Sequence, residues 1–174
     1  MEKIRNYTDD EFGLFLVSEL TELKDIELTI LKGHILTEFA INCYLESISE
    51  NKNSDFFKEN FNYSSKIKLL LHFGNYSGPG GEYIIKSLEV LNKLRNTIAH
   101  SLTINHHLIK EFLAIIRKIS PSKGNFNNEK LPEQHRLESG IAFVCGMIFG
   151  RYCEIRNKKT KPNTVSYVKH FPES

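Results

Sequence analysis

Cysteine is scarce in this chain of 174 residues, which has only Cys43, Cys145 and Cys153. They are odd in number and form no C-x-x-C pair, so the sequence predicts reduced thiols rather than a disulfide framework. Long apolar runs are also missing. The most apolar stretch, residues 141–150, is far shorter than the roughly 20 residues that a membrane-spanning helix needs. The acidic residues 9–11 are not typical of a signal peptide. We therefore expect a cytoplasmic protein with no membrane attachment.

An excess of charge of one sign is absent as well. The 23 basic and 21 acidic residues leave a net charge of +2 at pH 7. Such a balance does not predict binding to nucleic acid through overall charge, so any such contact would need a local basic site. Hydrophobic residues make up 40% and charged residues 25% of the chain, which is ordinary globular composition. The length fits a single domain over residues 1–174 with a sizeable core.

Most sequence signatures of catalysis or metal binding are missing too. Nothing resembles a Rossmann glycine pattern, a P-loop or a nucleophile elbow. The stretch 78–81, Gly-Pro-Gly-Gly, follows no predicted strand and precedes no Lys-Ser/Thr pair, so we interpret it as a turn between helices. His106 and His107 are adjacent and would point to different faces of a helix, unlike the i, i+4 ligands of a helical metal site. We expect no metal and no cofactor.

What the chain does have is apolar side chains repeated at helical spacing. This pattern predicts helices over about residues 9–24, 25–49, 64–73, 82–100, 105–119 and 133–156. No segment shows sustained period-two alternation. The predicted fold is therefore all-α, an antiparallel bundle of about five to six helices with its core over about residues 9–156.

The last predicted helix and the residues after it carry two further expectations. Gly140, Gly146 and Gly150 line up as small-residue positions, which suggests close packing against a neighbouring helix. Residues 157–174 are basic and then irregular in sequence, so we expect a mobile tail there.

The fourth predicted helix ends in a hexapeptide that runs from Arg95 to His100. Asn96 and His100 are four residues apart and share a helix face. Arg95 and His100 are five apart, about 140° around an ideal helix. Arg95 must therefore reach round with its long side chain, or meet the site of a second subunit, or the helix must loosen near Ala99. A plainer interpretation is a helix end where Arg95 and His100 merely face solvent, with His100 favoured near the negative end of the helix.

These residues carry a resemblance to a known family. Residues 93–100, Lys-Leu-Arg-Asn-Thr-Ile-Ala-His, resemble the R-N-x-x-x-H signature of HEPN domains. Residues 32–38 resemble a segment of the second helix in that group. Residues 61–69 resemble the segment that opens the next helix, including in the mannitol-repressor-like branch. The resemblance covers about residues 28–102 and implies a helical bundle that is usually dimeric.

In active members of that family an arginine and a histidine form a metal-independent ribonuclease site. The resemblance therefore implies that Arg95 and His100 are the catalytic pair, with Asn96 as a supporting polar residue. It also implies three partners: RNA, a second copy of the chain in a homodimer, and a cognate antitoxin, because such proteins often act as toxins or phage-defence effectors. Some members keep the fold but are non-catalytic regulators or interaction proteins.

The implied chemistry suits these residue types. A histidine that titrates near neutrality can accept the proton of a ribose 2′-hydroxyl, and an arginine can stabilise the charge that develops on phosphorus. The products would be a 2′,3′-cyclic phosphate and a 5′-hydroxyl, with no metal needed. The leading prediction is a metal-independent endoribonuclease of the HEPN toxin or defence type. The alternative is a non-catalytic regulator of the mannitol-repressor type.

Four more residues are weaker candidates for substrate binding. His34 and Glu38 are four apart on one predicted helix and could support the site, or they could be an ordinary polar pair. Lys32 and Lys93 could touch the RNA backbone.

Overall fold

The computed structural model describes residues 2–21, 23–51, 55, 57–58, 60–76, 78–101, 103–122 and 124–160. These residues form seven α-helices and a short 3-10 turn at Asn125–Asn127, with no strand among them. The helices are α1 (Glu2–Arg5), α2 (Asp9–Thr21), α3 (Ile26–Ile48), α4 (Tyr63–Phe73), α5 (Pro79–Ser101), α6 (His106–Ile119) and α7 (Glu133–Thr160). The predicted all-α bundle is confirmed.

Side-chain caps set the start of four of these helices, and in α2 the Thr8 hydroxyl accepts a hydrogen bond from the backbone N–H of Glu11 at 3.2 Å. The Asp25 carboxylate accepts hydrogen bonds from the backbone N–H groups of Glu27 and Leu28, at 2.7 and 3.1 Å. It satisfies donors that have no partner within the helix, so α3 begins directly after it. Asn62 and Asn105 cap α4 and α6 in the same way. The predicted break near Asp25 is therefore correct.

The start of α5 differs from the prediction. The helix begins at Pro79 rather than near residue 82, so Gly80 and Gly81 lie in its first turn. Proline is tolerated there because its missing N–H would have no helical partner. Gly81 is pressed against the preceding chain: an added Cβ would lie 2.2 Å from the carbonyl oxygen of Tyr76. Of the glycines that were interpreted as a turn, Gly81 therefore serves this close approach at the start of the helix, whereas a Cβ added at Gly80 would meet no described atom within 4 Å.

The end of α7 also differs from the prediction. The helix continues to Thr160, so the expectation of a tail from residue 157 is wrong for residues 157–160. Basic side chains are favoured near the negative end of a helix. Lys159 also donates a hydrogen bond from Nζ to the backbone oxygen of Ser47 at 2.6 Å, which ties this turn to α3. Residues 161–174, the rest of the expected tail, lie outside the described residues.

Helix α1 is an addition that the sequence did not predict, and it brings the number of α-helices above five or six. It is held by α7. The guanidinium of Arg156 donates to the backbone oxygens of Arg5 and Tyr7, and the Tyr152 hydroxyl donates to the oxygen of Arg5 at 3.0 Å.

The centre of the bundle is the contact between α3 and α7. Gly33 allows the two helices to approach closely, because an added Cβ would lie 2.7 Å from the side chain of Ile141. One turn further along, the Cys145 thiol points at the backbone oxygen of Leu36, 3.3 Å away. These contacts advance in the same direction along both helices, so α3 and α7 run parallel, and the antiparallel packing that the sequence predicted does not hold for this pair.

The predicted packing of the α7 glycines is partly confirmed. An added Cβ at Gly140 would meet Ile116 of α6 at 3.0 Å, and one at Gly150 would meet the carboxylate of Asp9 at 3.2 Å. Both glycines therefore allow a neighbouring helix to come close. At Gly146 no described atom lies within 4 Å of the added Cβ, so the prediction is wrong there.

The three thiols are free, as the sequence predicted, and all three are buried. Burial raises the pKa of Cys43 to about 12 and also raises the pKa of Cys145 and Cys153. These thiols are consequently poor nucleophiles at neutral pH. Within the described parts of the chain, none of the helices combines the length and the apolar character needed to cross a bilayer.

Candidate functional site

The hexapeptide lies on an exposed edge of α5. The helix is α-helical without interruption over Pro79–Ser101, so it does not loosen near Ala99. Arg95 and His100 are exposed, and Asn96 is half-buried between them. Of the three ways for Arg95 to meet a histidine at position 100, two remain: the long side chain reaches round, or the histidine belongs to a second subunit.

Asn92, Asn96 and His100 follow one another at steps of four residues and form what we call the α5 row. Each step is about 6 Å along the helix, so the row is about 12 Å long. Arg95 lies beside the row, and its Nη1 donates a hydrogen bond to Oδ1 of Asn96 at 3.1 Å. This bond holds the guanidinium against the middle of the row.

His34 of α3 meets the Asn92 end of the α5 row. Its Nε2 lies 3.4 Å from Oδ1 of Asn92, a contact in which Nε2 donates when it carries the ring proton. Its ring lies over that of Tyr63 from α4, with centroids 3.9 Å apart. His34 is 8% exposed, and this burial lowers its pKa, while the contacts with Asn92 and Glu38 act more weakly in the opposite direction. The imidazole is therefore neutral at neutral pH.

An ion pair and a hydroxyl contact hold α4 against α3 next to His34. Nζ of Lys66 lies 2.7 Å from Oε1 of Glu38, and the Lys66 side chain is only 6% exposed. The hydroxyl groups of Thr37 and Tyr63 lie 2.9 Å apart. Burial raises the pKa of Tyr63, so its hydroxyl keeps its proton in this contact.

Of the four weaker candidates for substrate binding, two lie where three helices meet, one is exposed on α5 and one is directed to another helix. His34 and Glu38 do lie at the junction of α3, α4 and α5, where the positive charge of Arg95 contributes to the lowered pKa of His34. Lys93 is exposed on α5, two turns before His100. Lys32 is directed elsewhere: its Nζ lies 2.7 Å from Oε2 of Glu19 on α2.

Three residues of this site were missed from the sequence. Asn92 could have been found, because it precedes Asn96 by the same step that separates Asn96 from His100. Tyr63 and Lys66 fall inside the segment that resembles the family. Their contacts with α3 cross between helices, and no spacing within one segment indicates such contacts.

Among the residues that the structure describes, no group of three or more His, Cys, Asp or Glu side chains is placed to hold a metal ion. Comparison with known proteins matches no family model, no curated protein and no solved structure. The resemblance to HEPN domains therefore rests on the sequence motifs alone.

Proposed function

We propose that this chain is a metal-independent endoribonuclease of the HEPN toxin or defence type, with Arg95 and His100 as its catalytic pair. One observation carries the proposal. Both side chains are exposed on a single uninterrupted helix, and Asn96 between them holds the Arg95 guanidinium by a 3.1 Å hydrogen bond. The proposed setting is the cytoplasm, with a cognate antitoxin as the controlling partner.

In the proposed reaction, His100 accepts the proton of a ribose 2′-hydroxyl. The resulting oxygen nucleophile attacks the adjacent phosphorus, and the bond from phosphorus to the 5′-oxygen breaks. Arg95 stabilises the negative charge on the non-bridging oxygens as it develops. The products are a 2′,3′-cyclic phosphate and a 5′-hydroxyl, and the nucleophile comes from the RNA itself.

The proposed site uses two copies of the chain. Arg95 and His100 point about 140° apart around one helix, and Arg95 is already bonded to Asn96. A two-fold axis at this edge would bring Arg95 of one copy opposite the other copy's histidine at position 100, and the leaving 5′-oxygen takes its proton from solvent water. Helix α3, which meets this edge through His34, exposes Leu28 (50%) and Ile35 (59%), and such apolar surface favours association.

The test is RNA cleavage by the purified chain with a chelator present. We expect wild-type cleavage to survive the chelator and to be lost in Arg95→Ala and in His100→Ala. The control His72→Ala removes an exposed histidine of α4 and should cleave normally. An RNA with a 2′-deoxy sugar at the cleaved position should resist. Equal activity of wild type, Arg95→Ala and His100→Ala would sink the proposal.

A non-catalytic regulator of the mannitol-repressor type is the second candidate. The contact of Arg95 with Asn96 favours it, because within one chain this bond serves a structural purpose without any reaction. Growth arrest on expression of the protein that disappears with His100→Ala would argue against this candidate.

A further inference from the structure

A groove of about 1110 Å³ lies between α2 and α7, and no residue of the α5 row lines it. Its walls include Leu14 and Val17 from α2 and Met147 from α7. These apolar side chains are 74%, 53% and 40% exposed. Three large apolar side chains exposed together on a concave surface are typical of a binding site for an apolar segment.

Two glycines in the same groove have no explanation within the described bundle. Gly13 of α2 and Gly146 of α7 lie inside helices, where glycine costs about 1 kcal/mol relative to alanine. A Cβ added at either would meet no described atom within 4 Å. Gly150 of the same groove is different, since its added Cβ would meet Asp9 at 3.2 Å. Gly13 and Gly146 are thus open to a segment that approaches from outside α2 and α7.

One end of the groove is acidic. Asp9 and Asp10 begin α2, and Glu154 of α7 lies at the same end. Burial, followed by the charges of Asp10 and Glu154, raises the pKa of Asp9. Carboxylates that disfavour one another's ionisation form a site where a cationic group is stabilised.

Two cations also line the groove, and one of them already has a cation–π contact and a hydrogen bond. The guanidinium of Arg151 lies over the Tyr76 ring, 4.2 Å from its centroid, and donates to the backbone oxygen of Asn75 at 2.9 Å. Lys158 is exposed in the last turns of α7. The three carboxylates outnumber these cations, so the end of the groove remains acidic.

We propose that residues 161–174 of this chain dock in the groove between α2 and α7. The segment follows α7 directly, and Pro162 lacks the N–H group that would continue a helix. Its composition complements the groove. The apolar residues are Val165, Tyr167, Val168 and Phe171, and the basic residues Lys161, Lys169 and His170 outnumber the one acidic residue, Glu173.

The segment is long enough to reach the apolar wall. From Thr160 back to Met147 the helix spans about 20 Å. The eleven residues from Lys161 to Phe171 can extend to about 36 Å. A tethered segment also has an effective concentration in the millimolar range, so it occupies the groove ahead of a second copy at micromolar concentration.

The test uses the full chain with a nitroxide label at Ser166→Cys. The native thiols are buried and their pKa values are raised, so the new thiol is labelled selectively. We expect the methyl signals of Leu14, Val17 and Met147 to lose most of their intensity. The methyl signals of Leu28 and Leu71, which are exposed but lie outside the groove, should keep theirs. No loss at the groove, or equal loss at all five residues, would overturn the proposal.

Two variants test whether the segment docks in the groove, and a mixing experiment tests which copy of the chain supplies it. Val17→Asp places a charge on the apolar wall and should restore most of the Leu14 and Met147 intensity. Leu71→Asp, at an exposed apolar residue of α4 outside the groove (43% against 53%), should leave the losses unchanged. If Leu71→Asp restores the intensity equally, the docking site is wrong. Signal loss that appears when nitroxide-labelled chain is mixed with isotopically labelled chain would show instead that the segment of a second copy occupies the groove.

Discussion

Nε2 of His34 lies 3.4 Å from Oδ1 of Asn92, and this contact joins α3 to the α5 row although the residues are 58 positions apart in the chain. The charged groups that act on the imidazole are Glu38, Arg95 and Lys66, two of them positive. Protonation of His34 would add a third positive charge next to those of Arg95 and Lys66. This charge would be buried away from water. One end of the proposed site is thus held by a side chain that must remain neutral.

His34 should make the folded state sensitive to mild acid. Its folded pKa lies below the ordinary value of 6.5. Above that value the histidine is neutral in both states and contributes no pH dependence. Below it the unfolded chain binds the proton more readily than the folded one, so the free energy of unfolding falls as the pH falls. His34→Gln should remove this contribution, and the urea midpoint from about pH 7.5 to about pH 5.5 should decline less than in wild type.

His72→Gln is the matched control, because His72 is exposed on α4. We expect its urea midpoint to follow that of wild type across the same range. A decline in His34→Gln as steep as that of wild type would show that His34 does not cause the acid sensitivity.

The ion pair between Lys66 and Glu38 should contribute more to stability than the pair between Lys32 and Glu19. Both pairs have a separation of 2.7 Å, but the Lys66 side chain is 6% exposed and the Lys32 side chain 35%. Glu38→Gln leaves a buried ammonium without its carboxylate. The expected loss in the free energy of unfolding is about 2 kcal/mol, below the full cost of a buried pair because Glu38 is partly exposed.

Glu19→Gln should cost only about 0.5 kcal/mol, since an exposed pair is screened by water. Urea unfolding at neutral pH measures both variants. Equal losses in the two would contradict the assignment of Lys66 as a buried charge that depends on Glu38.

Spacing within the sequence was enough to predict six of the seven described α-helices, all but α1, because their apolar stripes and caps are local. Asp25 caps α3 through residues two and three positions away, so the break could be placed without knowledge of the fold. The end of α7 could not be predicted in this way. Lys159 is held by the backbone of Ser47, 112 positions away, and the basic residues around it have the composition of a tail.

The same limit applies to the candidate site. The four-residue step from Asn96 to His100 is visible in the sequence, and α5 preserves it as part of an uninterrupted helix. The contact of Arg95 with Asn96 depends on a side-chain conformation, and the position of Tyr63 under His34 depends on how α4 packs against α3. Such contacts arise from packing between segments, which spacing along one segment does not encode.

Asn96 should act as a positioning residue for Arg95. Asn96→Ala removes the oxygen that accepts the 3.1 Å hydrogen bond from the guanidinium. A hydrogen bond to a charged group contributes about 1.5 kcal/mol at a partly exposed position, so kcat/KM for RNA cleavage should fall about tenfold. The loss should fall mainly on kcat, because orientation of the guanidinium matters most in the transition state.

Thr97→Ala is the control for that variant. The Thr97 hydroxyl bonds to the backbone oxygen of Lys93 at 2.9 Å, so its removal leaves the guanidinium in place and should leave kcat/KM unchanged. If Asn96→Ala and Thr97→Ala lower kcat/KM equally, the bond between Asn96 and Arg95 has no specific role in the reaction.

The proposed two-copy site makes a complementation prediction that a site within one chain does not make. In a mixed dimer the Arg95→Ala chain still carries His100, and the His100→Ala chain still carries Arg95. These two residues meet in one of the two composite sites. Random mixing makes about half of the dimers mixed, each with one of two sites restored, so about a quarter of the wild-type cleavage should return.

Cleavage is measured before and after the two inactive chains are unfolded together and refolded. The singly refolded variants are the controls and should remain inactive. If the mixture also remains inactive while high-resolution native mass spectrometry shows mixed dimers, Arg95 and His100 do not act across subunits, and Arg95 must instead release Asn96 and reach round its own helix.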